Sequence, residues 1–176
     1  MQTDGVTGAV AEVEMLAGLP VEQVWRLVAD VTRIGEWSPE CVAAAWRPGE
    51  EPGPDGTPRT GATFDGRNDY GHGVQDPVEC VVTEVVPRSV FEYVVLDDDR
   101  DVTRPGSIWR YELAPAAGGT LIRQRFTHGS GLTGVREGTI VHPDRAGAIV
   151  ANRLAVLHRN MTTTITRMTD PEGTTR

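Results

Sequence analysis

Apolar and polar side chains alternate along most of this chain, and near its C-terminal end the alternation gives way to a helical repeat. In the segment 9–17, Ala11, Val13 and Met15 share one parity and Glu12 and Glu14 the other, the pattern of a half-buried strand. Pro20 suits a first helical turn, and Val21, Val24, Trp25 and Val28 follow it at helical spacing. Asp30 reads as the cap of a second short helix through Ile34 and Trp37, which Pro39 stops. Residues 42–46 fit a short strand. The stretch 48–61, dense in proline and glycine and without periodicity, reads as a loop.

A series of strands is predicted next. Phe64, Gly66, Asn68 and Tyr70 fall on one face of 63–70, opposite Thr63, Asp65, Arg67 and Asp69. In 78–86, Val78, Cys80, Val82 and Glu84 go together, which makes Glu84 the only acid with inward parity. Phe91, Tyr93 and Val95 share a face in 90–96. Trp109, Tyr111 and Leu113 do so in 107–113, and Ile122, Gln124 and Phe126 in 120–127. Such alternation marks antiparallel strands with one face on a core and one in water. From about Asp144 to Met168 the period changes. Val150, Leu154, Leu157, Met161, Ile165 and Met168 recur at spacings of three and four, an amphipathic helix of six or seven turns.

The connections between strands leave no room for the crossover helices a parallel sheet requires. The fold class expected is therefore α+β: a curved antiparallel sheet of about seven strands around a long C-terminal helix, with two short helices after the first strand. One domain over 9–169 is expected, with flexible termini at 1–8 and 170–176.

Composition narrows the chemistry. The 176 residues carry a formal net charge of −8, which disfavours nucleic acid as a partner and an anionic membrane surface. No apolar run approaches the ~20 residues of a membrane span, so no membrane insertion is expected. Residues 1–10 hold no basic stretch followed by an apolar core, so no secretory leader is read and a cytoplasmic location is expected. Every basic residue other than histidine is arginine. Without lysine, a Schiff-base mechanism and a P-loop are both excluded. Cys41 and Cys80 read as buried thiols. No histidine or cysteine pair has ligand spacing, so neither a metal nor a cofactor is expected. Residues 129–134 match G-x-G-x-x-G by letter, but no second parallel strand follows, and they read as a flexible glycine loop.

Several local words carry a resemblance. Pro20-Val21-Glu22-Gln23-Val24-Trp25 opens the first helix, and Glu36-Trp37-Ser38-Pro39 closes the second. Gly61-Ala62-Thr63-Phe64 with Gly66-Arg67-Asn68, then Glu84-Val85-Val86-Pro87-Arg88 with Phe91, mark two hairpins. Trp109-Arg110-Tyr111 precedes Gly118-Gly119-Thr120, and Arg153-Leu154, His158 and Asn160-Met161 lie in the last helix. In order and spacing these resemble the START-type, or SRPBCC, superfamily of polyketide cyclases and lipid-transfer proteins, over roughly residues 9–169. The chain departs from it at Gln75-Asp76-Pro77, where a tryptophan is usual.

The resemblance implies a helix-grip fold with a cavity between sheet and helix. Periodicity alone would make the aromatic stripe solid core; the resemblance makes it a cavity wall. Phe64, Asn68, Tyr70, Tyr93, Trp109, Tyr111, Gln124 and Phe126 are then expected to meet a ligand from the sheet, and Leu154, His158 and Met161 from the helix. Tyr70, Tyr93 and His158 are the candidate catalytic groups, should the protein be an enzyme. The other histidines, His72, His128 and His142, fall in turns or at strand ends. Two functions stay open. One is binding of an apolar or aromatic small molecule, polyketide-, lipid- or isoprenoid-like. The other is a cyclase or dehydratase directing an aldol closure in the same cavity. A second copy of the chain is a candidate partner.

Overall fold

A computed structural model describes residues 5–71, 73 and 75–170. Strand β1 (Val10–Ala17) leads into α1 (Val21–Ala29), a 3-10 turn at Val31–Arg33 and α2 (Ile34–Trp37). Six strands follow: β2 (Cys41–Trp46), β3 (Thr63–Asp69), β4 (Gln75–Val86), β5 (Val90–Val95), β6 (Ser107–Ala116) and β7 (Gly119–His128). The chain then forms α3 (Gly134–Val141) and the long α4 (Ala146–Thr169). The seven strands make one antiparallel sheet in the order β1-β7-β6-β5-β4-β3-β2. Strands adjacent in sequence thus pair with one another, except β1 and β2, which lie at opposite edges with α1 and α2 between them in the chain. This is the helix-grip arrangement.

Burial follows the alternation. Ala11, Val13, Phe64, Cys80, Val82, Phe91, Tyr111, Leu113, Ile122 and Phe126 are buried on the inner face of the sheet. Leu157, Met161, Ile165 and Met168 of α4 meet them in one apolar cluster with Val24, Trp25 and Val28 of α1. The outer face is charged and cross-linked. Arg110 of β6 donates to Glu84, Glu92 and Glu112 at 2.6–3.0 Å, and Arg123 and Arg125 of β7 reach Glu14 and Glu12 of β1. Gly35 lets α2 lie against β2, because a Cβ there would collide with the Val42 carbonyl oxygen.

Two expectations are corrected here. Glu84 does not face inward: the register slips between Val82 and Glu84, a β-bulge that turns Thr83 and Glu84 to the outer face and Val85 back in. The second concerns the stretch before the long helix: residues 129–133 form the loop that was expected, but Gly134–Val141 is an unforeseen helix, with Thr133 accepting from the Arg136 amide as its N-cap. The Arg136 guanidinium donates to the carbonyls of Gly129 and Gly131, and Asp97 accepts from the Leu132 amide. The glycine stretch is thereby tied at both ends.

Candidate ligand cavity

The sheet curves away from α4 over its middle strands, and a cavity remains. Measured by where the centre of a water molecule can go, its volume is about 90 Å³, room for several waters or one small ring system. Phe64, Tyr93, Trp109 and Tyr111 wall it from the sheet; Leu157, Met161 and Met168 wall it from α4; Val31 and Trp37 close the side toward the first helices. The aromatic wall is held by edge-on contacts. Phe64 stands 5.1 Å from Tyr93 at 71°, and Trp109 stands 5.0 Å from Phe126 at 71°, the geometry aromatic quadrupoles favour.

Seven of the expected residues border this cavity: Phe64, Asn68, Tyr93, Trp109, Tyr111, Gln124 and Met161. Four do not. Phe126 is buried but spent on packing between Trp109 and His128. Leu154 packs against the core a turn before the cavity. His158 is exposed, because a rotation of one residue past Leu157 carries it off the inward stripe of α4. Tyr70 follows the end of β3 and is 45% exposed. It lies instead in a surface groove of about 560 Å³ beside the cavity. His72 lies outside the described residues.

Groove and cavity share two residues, Glu40 and Asn160, and sequence reasoning named neither as part of a site. The Glu40 carboxylate accepts two bonds from the Arg153 guanidinium, at 2.8 and 2.6 Å, and one from the Asn160 amide at 3.1 Å. The Arg153 guanidinium also sits 5.6 Å from the centre of the Tyr70 ring, and Asn68 donates to the Tyr70 hydroxyl. This cluster forms the polar boundary between cavity and groove. Its ion pair is 113 residues apart in sequence, so no local spacing betrays it.

The polar groups deeper in are fewer. Gln124 Nε2 donates to the Tyr111 hydroxyl across the β6–β7 pair at 2.7 Å. Gln124 Oε1 is buried and meets no donor among the described residues. Burial pushes the Tyr93 hydroxyl well above its ordinary pKa, with Tyr111 and the thiols of Cys80 and Cys41 adding to the shift. Burial raises Tyr111 in the same way. Both are neutral phenols at neutral pH, so they are hydrogen-bond donors rather than bases. Burial raises both thiols as well, which leaves little thiolate for nucleophilic chemistry. His128 is 3% exposed with neither ring nitrogen bonded among the described residues, and burial, then the charge on Arg153, lower its pKa. Among the described residues, no group of three or more histidine, cysteine or acidic side chains is placed to hold a metal, and no helix is long and apolar enough to cross a membrane.

An antiparallel sheet gripping one long helix, with a partly apolar cavity between them, defines the helix-grip class of folds. Within that class, the chain belongs to the polyketide cyclase / dehydrase and lipid transport family, whose model matches residues 9–162. Among curated proteins no significant match is found. A polyketide-cyclase-like protein from Corynebacterium glutamicum is similar in structure, with a TM-score of 0.63 and 24% identity, over 93% of this chain and 90% of that one. The di-domain aromatase/cyclase StfQ of the steffimycin biosynthetic pathway aligns with a TM-score of 0.67 and 14% identity, over 93% of this chain and 50% of that one. The di-domain aromatase/cyclase BexL of the BE-7585A pathway aligns at 0.66 and 16%, over 92% and 48%. The chain thus spans about half the length of these two di-domain proteins, and at such identities the likeness is one of fold.

Proposed function

We propose that this protein binds an apolar, ring-bearing small molecule in the cavity between its sheet and α4. The observation that carries the reading is a partly open cavity between sheet and helix, walled by aromatic and aliphatic side chains. Removing apolar ligand surface from water supplies the affinity, roughly 25 cal/mol per Å² buried. A panel of aromatic hydrocarbons, isoprenoid alcohols and fatty acids, tested by thermal unfolding and native mass spectrometry, is the direct test. The expected result is one bound molecule per chain and a raised Tm with at least one class. A bare mass and an unmoved Tm across the panel would overturn the reading.

A second reading is favoured by the two neutral phenols at the cavity wall and by the family. The cavity would direct an aldol closure of a poly-β-ketone. In that step an enol carbon adds to a ketone carbonyl of the same chain, the enol proton passes through solvent to the new alkoxide oxygen, and a phenol hydroxyl donates a hydrogen bond to that oxyanion as it forms. Tyr93 is the group placed for this role, whereas exposed His158 and outlying Tyr70 are not. Turnover of a poly-β-ketone surrogate should fall at least tenfold in Tyr93→Phe, one order below the low end of the about 10²–10⁴ of a general acid, because Tyr111 remains as a donor. Full rate in that variant would remove Tyr93 from the chemistry.

A further inference from the structure

We infer that Gln124 and Tyr111 form a hydroxyl-reading site in the cavity, so that the ligand is a hydroxylated ring compound rather than a plain hydrocarbon or an ether. This rests on the cavity being the ligand site, as proposed above, and adds the chemistry that would be recognised there.

The inference starts from an incomplete pair. Gln124 is 2% exposed and borders the cavity. Its Nε2 is bonded to the Tyr111 hydroxyl at 2.7 Å, and its Oε1 has no donor among the described residues. Buried amide oxygens are nearly always paired, and one that is not calls for an explanation. The Tyr111 hydroxyl oxygen, in turn, spends a lone pair on Gln124, and its own proton is not committed to the amide. One acceptor and one donor therefore stand on neighbouring strands, in two residues that both border the cavity. A ligand hydroxyl fits both, because it donates to Gln124 Oε1 and accepts from Tyr111. Turning the amide over exchanges the roles without changing the answer. Tyr111 then donates to Oε1, Nε2 is left to donate, and the Tyr111 oxygen is left to accept. A hydroxyl again meets both, whereas an ether or a ketone can only accept, and a hydrocarbon does neither.

The surroundings agree with a ring behind that hydroxyl. Phe91 pairs with Tyr111, and Tyr93 pairs with Trp109, on the adjacent strands. All four border the cavity, so the polar pair is set in an aromatic wall.

The test compares 2-naphthol, 2-methoxynaphthalene and naphthalene, which share a ring and differ at one position, by nitrogen–proton NMR titration of the full chain. The expected ranking is 2-naphthol tightest, with the other two weaker by roughly tenfold, the worth of about one net hydrogen bond to a buried group. Gln124→Leu should weaken 2-naphthol by a similar factor and leave naphthalene unchanged or tighter. Equal affinity for all three probes, each at one per chain, would overturn the hydroxyl site and leave the cavity reading standing. So would 2-methoxynaphthalene matching 2-naphthol, since it cannot donate, or a Gln124→Leu variant that keeps the wild-type preference. Binding of none of the three would defeat the hydroxyl site together with the cavity on which it rests. The wild-type ranking decides the matter even where the variant fails to fold.

Discussion

The polar groups at the edge of the cavity and those within it are treated in opposite ways. At the edge, Glu40 is bonded to Arg153 and Asn160, Asn68 is bonded to Tyr70, and the Arg153 guanidinium lies over the Tyr70 ring. Inside, Tyr93 is bonded to no group among the described residues, and Gln124 keeps an acceptor in reserve. The difference separates two jobs that both use polar atoms in a low-dielectric setting. A satisfied network holds a shape, while spare hydrogen-bonding capacity offers recognition at some expense in stability. Polarity alone therefore says little about which residues touch a ligand; the state of their hydrogen bonds says more.

The sharpest break of this comparison is Glu40→Ala. It would leave the Arg153 guanidinium, with a side chain only 20% exposed, without its carboxylate. Removing one partner of a largely buried pair costs about 3 kcal/mol, to be read as a shift of the urea midpoint at constant m-value. A loss below about 0.5 kcal/mol would show that the boundary is held by packing instead. Next in size is a pair of matched substitutions. Tyr111→Phe removes the partner of Gln124 and should cost about 1–2 kcal/mol. Tyr93→Phe removes a hydroxyl with no hydrogen-bond partner among the described residues and should stay within about 0.5 kcal/mol of wild type. Equal losses in the two variants would erase the distinction drawn here.

The smallest effect concerns His128, a buried imidazole with no hydrogen-bond partner among the described residues and no place in the cavity wall. Its pKa is lowered in the fold, so the unfolded chain binds a proton that the folded chain resists. Its contribution is complete above the ordinary histidine pKa of about 6.5 and declines as the pH falls toward the folded-state value. Urea midpoints measured from about pH 7.5 down to about pH 5.5 should fall, and His128→Phe should flatten that slope. An unchanged slope in the variant would assign the pH dependence to the carboxylates.

Strand parity was legible wherever the pleat runs uninterrupted, as in Ile122, Gln124 and Phe126 of β7. The three- and four-residue spacing of α4 placed Leu157 and Met161 correctly against the sheet. The misreadings share a cause, which is that local periodicity carries no information about irregularity or distance. A bulge at Thr83 reverses Glu84 without changing a letter of the pattern. β3 ends one residue before Tyr70, so its parity lapses there. In α3, Ile140 and Val141 are both exposed, so no apolar stripe announced the helix. Only the Thr133 cap offered a clue. The Glu40–Arg153 pair is set by tertiary structure alone, and so is the unfilled end of Gln124, since no pattern in the letters tells a paired amide from an unpaired one.

The sheet order has a consequence for how the chain is made. Val10 pairs with Thr127, Ala17 with Thr120, and β1 pairs with no other strand among the described residues. At about 5–20 residues per second, the ribosome delivers β7 on the order of 5–25 seconds after β1. Through that interval the earliest strand waits without its hydrogen-bonding partner, and the loop that must finally close spans most of the protein, which makes this pairing slow. Glu12 and Glu14, which end as partners of Arg125 and Arg123, place two like charges on the waiting segment and so oppose its pairing with a second nascent copy.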